Sequence, residues 1–156
     1  FLADCRGDAD VILGDGRLRL REFQDGGFDL LVLDAFSSDA IPVHLVTREA
    51  IAVYLEKLRD GGLLVFHVSN NYLDLAPLVA RLAEDAGLVA RIRRDHDVPR
   101  EDLAAGRSPC EYIVLARRAE DFGTIANDER WTPLTPTPAA PLWTDRFSNV
   151  LSVIRW

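Results

Sequence analysis

Three aspartates stand where a chain could do acid–base chemistry. Asp34 follows directly on the apolar run Phe28 to Leu33, and Asp39 comes five residues later, with Ser37 and Ser38 between them. Two carboxylates on one loop can hold a cationic amine, and one of them can take its proton if its surroundings tune its pKa. A charge placed directly behind a buried strand needs a reason. Asp34 is therefore read as functional ahead of a role in satisfying loop amides, while for Asp39 a solvated surface role weighs equally. Asp15 lies in Gly14-Asp15-Gly16. Flanking glycines let the backbone approach a flat ligand, and the carboxylate can accept a bond from an exocyclic amine. On local sequence alone the commoner role, capping a helix that begins near Arg17, is favoured.

The other polar candidates read more quietly. His67 sits within an apolar strand, where a lone histidine is more often a core group than a base. Asn70, Asn71 and Tyr72 could line a pocket, but turn chemistry accounts for the asparagines equally well. Cys5 and Cys110 are isolated, with no zinc spacing and no neighbouring histidine, and are expected to be free thiols in a reducing compartment. His44, His67 and His96 lack metal-site spacing, so no metal is called for. Gly14-Asp15-Gly16-Arg17-Leu18-Arg19 is not a GxGxxG, because Arg19 stands last.

These residues need elements to position them. Val11-Ile12-Leu13 reads as a buried strand running into a glycine turn. A short helix over 17–23 is expected to turn Leu18 and Phe23 inward. Phe28 to Leu33 is the clearest strand, apolar nearly throughout, as a parallel strand covered on both faces would be. A loop over 34–46 follows. Thr47 can cap a helix to Arg59, with Glu49 in its first turn, and Asp60-Gly61-Gly62 stops it. Leu63 to Val68 is another buried strand. Leu75, Leu78, Val79 and Leu82 mark an amphipathic helix within 74–86, where Pro77 is tolerated in the first turn. Strands over 88–92 and 111–116 follow, with a charged irregular stretch over 93–109 between them and a short helix near 120–126 after. The segment 132–156, Pro-rich and then tail-like, belongs to the same single domain, 1–156. Alternation of strand and helix predicts an α/β, mostly parallel sheet, in which ligands bind beyond the carboxyl ends of the strands. Asp15, the 34–39 loop and 67–72 all fall there, so the three aspartates are expected along one rim with Ser37, Ser38 and Tyr72 close by.

Composition bounds the function. Hydrophobic residues make up 48% and charged residues 28%, which suits a globular fold. No apolar run approaches the roughly 18 residues of a membrane span. The net charge of −7 argues against binding nucleic acid through its phosphates and favours a cationic substrate. The chain has no methionine and opens at Phe1 with a stretch unlike a signal peptide, so it is expected to be part of a longer protein or a processed chain.

The runs Gly14-Asp15-Gly16-Arg17-Leu18, Phe28-Asp29-Leu30-Leu31-Val32-Leu33-Asp34-Ala35-Phe36-Ser37-Ser38-Asp39-Ala40-Ile41-Pro42, His67-Val68-Ser69-Asn70-Asn71-Tyr72-Leu73-Asp74-Leu75 and Trp143-Thr144-Asp145-Arg146-Phe147-Ser148-Asn149-Val150-Leu151-Ser152-Val153 resemble the spermidine synthase-like (polyamine aminopropyltransferase) family. The resemblance is to its bacterial branch fused to a membrane-embedded region, and it covers nearly the whole chain. It implies a Rossmann-like sheet of the class I methyltransferase type, with the first two strands and the glycine-rich loop expected upstream of Phe1. It implies that Asp34 orients and deprotonates the attacking amine, with Asp39 as the second aspartate of that loop, in catalytic and substrate-binding roles. The loop is two residues longer here than the family's Asp-Ser-Ser-Asp-Pro type. Asp15 would bind the adenine amine of the nucleoside, with Gly16, Ser37 and Ser38 also on the cofactor side and Tyr72 on the substrate side.

The implied reaction is aminopropyl transfer from decarboxylated S-adenosylmethionine to a polyamine. Methyl transfer from S-adenosylmethionine on the same fold is the second reading. A non-catalytic module attached to a membrane partner is the third. The implied location is the cytoplasm, or the cytoplasmic face of a membrane. Without upstream strands an apolar sheet edge would be exposed, so self-association is expected as well.

Overall fold

The computed structural model describes residues 7–35 and 42–155. Cys5, Ser37, Ser38 and Asp39 lie outside the described residues. The chain is an α/β fold with a five-stranded mixed sheet in the order β1-β2-β4-β3-β5 among the described residues. The strands are β1 (Phe28–Leu33), β2 (Leu58–His67), β3 (Val89–Asp95), β4 (Cys110–Ala116) and the two-residue β5 (Thr132–Pro133). The helices are α1 (Gly16–Leu20), α2 (Arg48–Lys57), α3 (Ala76–Asp85) and α4 (Arg100–Ala104).

The expected mostly parallel sheet is corrected. Only β1 and β2 pair in parallel, and the β2–β4, β3–β4 and β3–β5 pairs are antiparallel. Strands β1, β2 and β3 still run the same way, with β4 inserted against them. The cause lies in the connections. Residues between β1 and β2 include the full helix α2, enough to carry the chain back for a parallel pairing. Between β3 and β4 there is only the short α4. The two strands therefore close on each other as a long hairpin, in register from Val89 opposite Ala116 to Asp95 opposite Cys110.

Local chemistry explains most boundaries. Thr47 caps α2, its hydroxyl accepting from the Ala50 amide at 3.2 Å. Helix α2 ends at Lys57 and the chain passes straight into β2, so Asp60-Gly61-Gly62 lies inside the strand and not after the helix. The register shows the irregularity: Phe28 faces Leu58, but Leu30 faces Leu63. Gly61 has φ +75°, a conformation costly for residues with a Cβ. The 120–126 helix is observed as a 3-10 stretch, Ala119–Asn127, kinked at Gly123.

Two expectations near the start fail. Val11, Ile12 and Leu13 form no strand and are 68%, 51% and 81% exposed. An apolar run becomes a strand only where a neighbour satisfies its backbone, and no described strand lies beside it. In α1 the buried residue is Arg17, while Leu18 is 60% exposed, the reverse of the expected orientation.

The main core lies on one face of the sheet. Leu64 and Phe66 of β2, Ile92 of β3, and Ile113 and Leu115 of β4 meet Ile51 and Tyr54 of α2 and Leu78, Val79 and Leu82 of α3. Trp143 from the tail is fully buried among them. The opposite face is covered by the 3-10 stretch, where Phe122 packs on Val114 and Ala116, with Leu63 and Val65 alongside. That cover does not extend to β1. Leu30 and Val32 are 49% and 54% exposed, so β1 is not buried on both faces as its composition suggests.

Candidate functional site

Asp34 is the first residue beyond β1. Register places it beside His67: Leu33 faces Phe66 in the parallel pair, and the next step sets Asp34 against the last residue of β2. The Asp34 Oδ1 and His67 Nδ1 are 2.6 Å apart. The Asp34 side chain is 59% exposed, whereas that of His67 is only 16% exposed. Oδ2 of Asp34 has no hydrogen-bond partner among the described residues.

The imidazole is held from the other side as well. His67 faces Tyr112 across the β2–β4 ladder, and their rings stack at 4.6 Å between centroids and 18° between planes. Burial, followed by the charges of Cys110 and Asp34, raises the pKa of Tyr112 above the usual phenol value. Nε2 of His67 is buried and has no hydrogen-bond partner among the described residues.

A cavity of about 260 Å³ opens beside Asp34, lined by Gly16, Leu31, Leu33, Asp34, Ala35 and Tyr54 among others. Its walls are mainly aliphatic, with Asp34 the only charged side chain among the described residues that line it. Gly16 and Asp34 thus share one cavity, although the sequence separates them by a helix and a strand.

Asp15 caps α1. Its Oδ1 accepts from the Leu18 amide at 2.9 Å, and its Oδ2 lies 2.7 Å from His44 Nε2. The Leu18 amide, helped by His44 and opposed by partial burial, holds the Asp15 carboxyl below its ordinary value. Each oxygen keeps a second lone pair, so the cap leaves room for another donor. Tyr72 is 62% exposed and does not line the cavity beside Asp34. Asn70 does turn chemistry: its Oδ1 accepts from the Tyr72 and Leu73 amides at 2.9 and 3.0 Å.

Several contacts at and around the site carry no local signal in the sequence. Each histidine pairs with a carboxylate: His44 with Asp15, His67 with Asp34, and His96 with Glu111. Nothing local signals these pairs, because the partners come from different elements. Arg17 and Asp145 were also missed. Arg17 is 6% exposed and donates from both terminal nitrogens to Asp145, at 2.7 and 2.8 Å. Thr47 Oγ1 donates to Asp145 Oδ1 at 2.8 Å, and the Asp145 amide donates to Glu49 at 2.8 Å. This network clamps the tail to α1 and to the start of α2, and so fixes the turn that carries Asp15 and Gly16.

No protein-family model and no curated protein matches the chain. Solved structures do. A probable spermidine synthase from Corynebacterium glutamicum matches at 17% identity with a TM-score of 0.54, over 88% of this chain and 54% of that one. The spermidine synthase from Thermotoga maritima matches at 15% identity and a TM-score of 0.54, over 93% of this chain and 46% of that one. A SAM-dependent methyltransferase from Archaeoglobus fulgidus matches at 14% identity and a TM-score of 0.46, over 75% of this chain and 71% of that one. The chain spans about half the length of the two spermidine synthase structures. Its fold resembles those of spermidine synthases.

Proposed function

We propose that this chain carries the amine-activating part of a spermidine synthase-like transferase, using decarboxylated S-adenosylmethionine as the aminopropyl donor and a polyamine as acceptor. The observation that supports this best is the setting of Asp34. It is a carboxylate at the carboxyl end of a strand, beside a mainly aliphatic cavity that fits the methylene chain of an amine. The acceptor nitrogen attacks the carbon next to the sulfonium. The carbon–sulfur bond breaks with its electron pair going to sulfur, and methylthioadenosine leaves. Asp34 accepts the proton shed by the nitrogen. Asp15 and Gly16 serve the nucleoside side, and Asp39, Ser37, Ser38 and Tyr72 complete the binding surface in this reading.

Titration calorimetry with methylthioadenosine, S-adenosylmethionine and putrescine tests it. Binding of methylthioadenosine together with putrescine is the expected result. Nucleoside binding without putrescine would point to methyl transfer, and binding of neither would favour a non-catalytic module.

A further inference from the structure

We propose that His67 is a positioning residue for Asp34: it fixes one carboxylate oxygen and leaves the other to receive a primary ammonium group. This rests on the reading of the site as an amine site. Four observations carry it.

The 2.6 Å contact between Nδ1 and Oδ1 is a hydrogen bond in which only the nitrogen has a proton to give to an ionised carboxylate. In the neutral imidazole, donation from Nδ1 selects one tautomer, with the lone pair on Nε2. That choice agrees with the surroundings of Nε2, which is buried with no partner among the described residues: a lone pair there costs less than an unsatisfied N–H. The Tyr112 ring fixes the imidazole plane, so the donor direction is set before any ligand arrives. Finally, the burial is unequal. His67 is the enclosed member and Asp34 the exposed one, the order expected where the histidine supports and the carboxylate meets the ligand.

The chemical consequence is directional. An unheld Asp34 beyond a strand end would rotate among several rotamers. Held through Oδ1, it presents Oδ2 in one orientation, which lowers the entropy lost on binding an amine and sets the line along which a proton is taken.

Nitrogen-15 NMR of the imidazole and putrescine titrations test this together. The expected result is the Nδ1-protonated tautomer of His67 in the wild-type chain, shifting toward the Nε2-protonated form in Asp34→Ala. In the titrations, His67→Leu is expected to weaken putrescine binding roughly 10- to 100-fold, the range for loss of a hydrogen bond to a charged group. His67→Asn keeps a donor close to the Nδ1 position and is expected to recover most of the affinity. An Nε2-protonated tautomer in the wild type, or full putrescine affinity in His67→Leu, would overturn the positioning role while leaving the amine site standing. Failure of the wild type to bind putrescine, with the tautomer response intact, would overturn the amine site and the role built on it, leaving a structural pair.

Discussion

At the scale of single residues, a carboxylate means different things according to what meets it. Asp34, Asp15 and Asp145 all face partners from distant elements, but Asp34 lines a mainly aliphatic cavity, whereas Asp145 lines a polar one with Arg17, His44 and Thr47 and has both oxygens engaged. As the base of the proposed reaction, Asp34→Asn in an intact transferase should lower turnover by about 100- to 10,000-fold while leaving nucleoside binding mostly intact. Steady-state kinetics with a parallel binding titration reads both, and full activity in Asp34→Asn would remove the assignment. Asp145 belongs to stability. Arg17, chiefly by hydrogen bonding, holds the Asp145 carboxyl below its ordinary value of 3.8. A carboxyl depressed by folding contributes stability that is fully present above the unfolded value and is lost as pH falls through the folded one. Asp145→Ala should therefore cost about 2 kcal/mol at pH 7, between the values for an exposed and a fully buried pair, because Arg17 is buried but Asp145 itself is partly exposed. It should also flatten the acid limb of the stability profile. Urea unfolding at several pH values measures both, and an unchanged midpoint at neutral pH would contradict the clamp.

At the scale of elements, the β1–β2 pair matters most, because its register is what sets Asp34 beside His67. The irregularity between Leu58 and Leu63 adjusts that register, and two glycines permit it. A Cβ on Gly62 would lie 3.1 Å from the Arg59 carbonyl oxygen and 3.2 Å from that of Asp29. Both neighbours are backbone and give way poorly. Gly62→Val should destabilise by about 1–3 kcal/mol through this crowding. Gly61→Ala, strained by its positive φ with space around it, should cost about 1 kcal/mol. Denaturant midpoints rank the two. A slipped register would also show as loss of the His67–Asp34 hydrogen bond by NMR. Burial of Phe66 and Leu64 on one face and packing of Val65 on the other hold the strand against such a slip.

At the scale of the whole molecule, coverage is uneven. The 3-10 stretch shields β2 and β4 but not β1, whose outer edge has no strand beside it among the described residues. Leu30 and Val32 present an apolar patch there, and Val11, Ile12 and Leu13 add to the exposed apolar surface. Unpaired edges with apolar faces recruit further chains. The 156-residue chain should self-associate at high concentration, and Leu30→Lys with Val32→Glu should shift it toward monomer. Sedimentation velocity distinguishes the two, and a clean wild-type monomer would argue against the edge as an interface.

Much of the framework was legible in the residues alone. Apolar runs located β1 to β4, because burial of a strand demands them wherever the strand lies. Thr47 marked the start of α2, since a cap acts within one turn. The place of Asp34 at a strand end followed from the same reading. What only the tertiary structure decided depends on neighbours distant in sequence. Val11 to Leu13 has the composition of a strand but no strand beside it among the described residues. Strand β4 runs against its neighbours, closing on β3 as a hairpin across a connection that holds only the five-residue α4. Arg17 turns inward because Asp145, from the tail, is there to receive it. The partner of His67 is set by register between two strands, and register is a relation between segments that neither one contains.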